Sequence, residues 1–80
     1  MDRDLARHVA HVALASTTRL DSAIYALEKH CPPDELAVYR QAIGNVTACV
    51  DREILDKIYA DYPDLRDEIE ARIAKYGPRI

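Results

Sequence analysis

The chain has 80 residues, a net charge of −3, five tyrosines and no Phe or Trp. That length holds one domain, residues 1–80, whose core must come from Leu, Ile, Val and many alanines and is therefore slim. The acidic excess lies in residues 32–62, six acids against Arg40, Arg52 and Lys57. No segment gathers Lys and Arg into the stripe that nucleic-acid backbone binding requires, which excludes a nucleic-acid partner.

The first segment carries Leu5, Val9, Val12, Ser16, Leu20, Ala23, Ile24, Leu27 and Cys31 at steps of three and four, the spacing of one helical face. It predicts a helix over residues 3–30, with Asp2 as N-cap and Asp4 in the first turn. Ser16-Thr17-Thr18 weakens it locally, but the stripe keeps phase across these residues, so one continuous helix is expected. Ala13-Leu14-Ala15 mimics a signal cleavage site, yet Asp2 and Asp4 stand where a basic region belongs, so no secretion is expected.

His8 and His11 lie three apart with Asp4 one turn before His8, a spacing that can bring three ligands toward one metal ion. This face supports a rival reading of the chain as a small-ligand or metal-binding protein. Zinc sites want three or four ligands, and di-iron bundles want Glu-x-x-His pairs absent from this sequence, so a solvated helix flank is the expected state and no cofactor is expected.

Pro32 ends the first helix by pushing Cys31 out of the α region, and Pro33 suits the first turn of the next. The second helix is expected over 33–61, with Leu36, Tyr39, Ile43, Val46, Val50, Ile54 and Ile58 as its stripe, ending at Tyr62-Pro63. Cys49 would then sit about 24 Å from the start of that helix, far beyond disulfide reach of Cys31. Two reduced thiols, and no apolar run near the roughly 20 residues of a membrane span, point to the cytoplasm.

The third helix is expected over 64–76, with Leu65, Ile69, Ile73 and Tyr76 on one face and Lys75, Gly77 and Pro78 as its stop signal. Two long helices joined by so short a turn should lie antiparallel, and a third of about 21 Å covers only about half of a 40 Å hairpin. The reading is an all-α fold: a long antiparallel helical hairpin plus a short third helix, completed to a bundle by dimerisation.

The half left uncovered contains Leu27, Leu36, Tyr39 and Ile43, and Val38 and Ala42 run along a second apolar flank of the same helix. These six residues form the expected interface. No glycine-rich phosphate loop, nucleophile–histidine signature or other catalytic constellation is present, so no catalytic residue is assigned. The expected function is a non-enzymatic helical interaction module that forms a homodimer and binds a partner protein helix.

Overall fold

A computed structural model describes residues 1–77, so Pro78 of the expected stop signal lies outside the described residues. The order of elements is α1 (Arg3–His30), α2 (Pro33–Val50), a π-helical turn (Asp51–Leu55), α3 (Asp56–Asp61) and α4 (Pro63–Tyr76). Backbone angles stay right-handed helical through Val50, Asp51, Leu55 and Asp56, so α2, the π turn and α3 make one continuous rod. The fold is all-α, with no strand among the described residues.

Local chemistry sets the ends of these helices. The Asp2 carboxylate accepts from the Leu5 N–H at 2.8 Å, satisfying one of the donors that a helix start leaves free. α1 runs unbroken through Ser16 and Thr17, whose hydroxyls turn back to donate to the carbonyls of Val12 and Leu14, at 2.8 and 2.9 Å, without interrupting the helix. Cys31 is extended at φ −113°, ψ 147°, as the following proline demands. Tyr62 leaves the helical region at φ −133°, ψ 74° and α4 starts on Pro63, while Gly77 closes it at φ 85°, where a side chain would be strained.

The π turn is a departure from the expected single α-helix. Its signature is a bond from the Asp56 N–H to the Asp51 carbonyl, five residues back. In phase terms it inserts one residue. Val50 is half-buried and the next deeply buried residue of the rod is Leu55, at 4 % exposure, not the expected Ile54, at 37 %.

A second departure concerns the rotation of α1. The buried line is Ala6, Ala10 and Ala13, whereas Leu5 and Val12 of the expected stripe are half-exposed. Alanines face inward here because α4 joins the rod on that side, and only a small side chain lets three helices approach one point. The main cluster joins these alanines to Leu55, Ile58, Leu65 and Ile69, with Val9, Leu14, Val50, Tyr59, Tyr62 and Ile73 packed around it. Outside that cluster, Ile43 is the one buried large side chain among the described residues.

Polar clamps fix α4 to the start of α1. Arg7 reaches both carboxylate oxygens of Glu68, at 2.8 and 3.2 Å, Arg3 pairs with Asp64, and the Tyr62 hydroxyl donates to the Met1 carbonyl at 2.7 Å. The resulting molecule is a slab of 45 × 25 × 15 Å with a radius of gyration of 14.6 Å. A compact chain of this length would have about 12 Å.

Candidate interaction surface

At about 100° per residue, each helix can be read by angle from its buried line. On α1, Arg3 and Arg7 lie about 60° and 100° to one side of Ala6, toward α4, where they meet Asp64 and Glu68. Leu5, Val12 and Ala23 lie about 100° to the other side, with Val9 and Leu27 between them and the buried line. That side carries no charged residue from Leu5 to Ser16.

On the rod, the reference is Ile43, at 8 % exposure. Tyr39, Val46 and Ala42 lie about 40° to 100° to one side of it, with Val38 and Cys49 further round. All of these are exposed: Tyr39 at 48 %, Val46 at 50 % and Val38 at 65 %. Arg40 lies on the other side and bonds Glu28 at 2.6 Å, so it does not break this apolar flank.

The six expected interface residues therefore separate into three groups. Val38, Tyr39 and Ala42 are exposed, Leu27 and Leu36 are half-buried, and Ile43 is buried within the chain. Ile43 belongs to the fold and not to a free surface, because it marks the line along which the rod meets α1. Leu5, Val12 and Ile54, which the sequence places on the apolar stripes of their helices, are instead well exposed. A usable signal was present in Ala6, Ala10 and Ala13, a second line of apolar residues at steps of four and three beside the bulky stripe.

The histidine face is organised around arginine. The Asp4 carboxylate accepts from Arg7 at 2.9 Å, and Arg7 also binds Glu68, which holds the Glu68 carboxyl below the ordinary carboxylate value. His8 is exposed. His11, expected near solvent, is partly buried, and that burial, with Arg72 next in effect, pushes its imidazole below the ordinary histidine value. Asp4, the carboxylate of the candidate ligand set, is thus already paired with Arg7. No group of three His, Cys, Asp or Glu side chains able to hold a metal ion occurs among the described residues.

An open recess at the α3–α4 junction is lined by Asp56, Tyr59, Ala60, Pro63 and Arg66. Arg66 spans it, lying over the Tyr59 ring at 5.0 Å and 3.6 Å from the Asp56 carboxylate. Burial raises the Tyr59 hydroxyl above the ordinary tyrosine value, so it stays protonated. Cys31 and Cys49 are both free thiols, and no described helix is long and apolar enough to cross a membrane. Comparison of the chain with protein-family models, curated proteins and solved structures finds no match.

Proposed function

We propose that α1 and the rod form an antiparallel hairpin with one open apolar face, and that the chain is a non-enzymatic helical interaction module acting through that face. Two sets of contacts support the hairpin. Late α1 meets early α2 at Glu28–Arg40, and early α1 clusters with the end of the rod at Leu55 and Ile58. In an antiparallel pair, the same sense of rotation on each helix leads to the same side. Leu5, Val12 and Ala23 then share one face with Tyr39, Ala42 and Val46, and α4 lies on the opposite face.

The observation that carries this reading is the exposure of large apolar side chains on both helices, from 37 % at Ile54 to 51 % at Val12. Scattered apolar residues on a surface are ordinary, but a lane of them on two adjacent helices is the form of a helix-binding face. A reducing compartment such as the cytoplasm suits the exposed Cys49 thiol beside that lane.

Photo-crosslinking tests the module reading. A benzoylphenylalanine at position 46 should crosslink to polypeptide, its own or another, in extract of the native cell, and one at position 67 should not. Failure at 46, or equal yields at both positions, refutes it.

A further inference from the structure

We infer that the occupant of the open face is a second copy of this chain, packed face to face so that two helix pairs close into a four-helix layer structure. The inference rests on the interaction-module reading and names its partner.

Area is the first argument. The chain exposes 5728 Å². A folded monomeric protein of its 9.1 kDa is expected to expose about 4,900 Å². The surplus, about 800 Å², equals what one partner contributes to an interface of standard size. A single extra helix would cover less of a slab 45 Å long and 25 Å wide than a second slab of the same outline.

Shape gives the same answer. The chain is 45 Å long and only 15 Å in its thinnest dimension. A second copy stacked at a helix spacing of about 8 to 10 Å encloses the face between two layers.

Charge selects a copy over a foreign chain. In a two-fold interface each residue group meets its own equivalent, so any net charge on the face repels itself. The chain carries 25 ionised side chains of Lys, Arg, Asp and Glu, yet this flank holds none from Leu5 to Ser16 on α1 or from Tyr39 to Val46 on the rod; Glu35 and Arg19 bound it, one turn before Tyr39 and just past Ser16. A strongly acidic or basic partner would require complementary charge there. The lanes also alternate bulky and small side chains, Tyr39 and Val46 with Ala42, and Val12 with Ala23, which lets one copy's large groups seat beside the other's small ones.

Light scattering and sedimentation of the full chain at micromolar concentrations should give twice 9.1 kDa. Val46→Glu should halve the mass to that of one chain with the helical circular dichroism retained, and Tyr25→Glu, 70 % exposed and on the side away from the face, should leave it doubled. Cys49 supplies a readout that needs no variant: its alkylation rate in the native protein should fall as concentration rises through the dimerisation range. A single-chain mass throughout, a doubled mass in Val46→Glu, or a Cys49 rate independent of concentration would overturn the proposal. A single-chain mass combined with crosslinks from position 46 to another polypeptide would overturn the second copy while leaving the module standing.

Discussion

Deleting Arg52 from the π turn should be nearly harmless, although deleting one residue from a helix ordinarily rotates everything beyond it by about 100°. The step from half-buried Val50 to buried Leu55 is five residues, about 140° past a full turn in a regular α-helix. The π turn absorbs that excess through the Asp56-to-Asp51 bond. With Arg52 removed the step is four residues, about 40° past a full turn, and a plain α-helix keeps Leu55 and Ile58 inward. Arg52 itself contributes only an exposed contact with Glu53 at 3.4 Å, so the expected loss is under about 1 kcal/mol.

The control is deletion of Arg19 from α1, which has no such turn. There Leu20, Ile24 and Leu27, all half-buried, would leave the buried line. Full burial of each such side chain contributes about 1.5 to 3 kcal/mol, so half-burial of three predicts a loss of roughly 3 kcal/mol. Urea and thermal unfolding followed by circular dichroism at one fixed protein concentration would compare them. At about 4 to 8 °C per kcal/mol for a domain of this size, Arg19 deletion should lower the midpoint by at least about 12 °C and Arg52 deletion by less than about 8 °C. Equal losses would refute the phase argument.

Gly44→Ala should stabilise by about 0.5 to 1 kcal/mol, since a Cβ there meets no atom within 4 Å and glycine weakens a helix interior; a lowered unfolding midpoint would mean that another helix fills that space. Leu65→Ala, at 0 % exposure in the main cluster, should lose about 2 to 5 kcal/mol by chemical denaturation, and a loss under 1 kcal/mol would contradict the core described above. On acidification, His11 and Glu68 both have folded values below their unfolded ones, so each contributes stability that is present above its ordinary value and lost as pH falls toward the folded one. Unfolding free energy should therefore decline from about pH 6.5 downward and again in the carboxylate range, and His11→Gln should remove the first decline while leaving the second.

The ends of the helices were legible in the sequence because they depend on neighbours in the chain. Asp2 caps its own helix, Pro32 and Pro63 restrict the residue before them, and Gly77 takes a positive φ, whatever the rest of the fold does. The rotation of α1 was not legible. Leu5–Val9–Val12 and Ala6–Ala10–Ala13 both obey helical spacing, and only the approach of α4 decides between them. Ile54 against Leu55 is the same ambiguity in the rod: regular α spacing favours Ile54, and the π turn overrides it to seat Leu55 against the alanines. Among the residues expected at an interface, the exposure of Val38, Tyr39 and Ala42 follows from a flank pattern internal to α2, whereas the burial of Ile43 depends on contact between helices and could not be read from α2 alone.

These two unforeseen features act in one direction. Turning the alanines of α1 inward moves Leu5 and Val12 toward solvent, and the π turn moves Ile54 there while burying Leu55. Exposures of 37 to 51 % mean that each of these three side chains forgoes roughly half of the 1.5 to 3 kcal/mol that full burial would contribute, together about 2 to 4 kcal/mol. A chain of 80 residues is expected to have only about 4 to 12 kcal/mol of net stability. A loss of that relative size is hard to reconcile with a fold complete in one copy, whereas in the proposed dimer the same three side chains are returned to an apolar environment. On this reasoning the π turn belongs to the interface as much as to the core. A variant lacking Arg52 keeps Leu55 inward and therefore keeps Ile54 about 100° round from it on the same flank, so it should retain both its fold and its dimerisation constant, and a weakened dimer would refute the placement of Ile54 on the shared face.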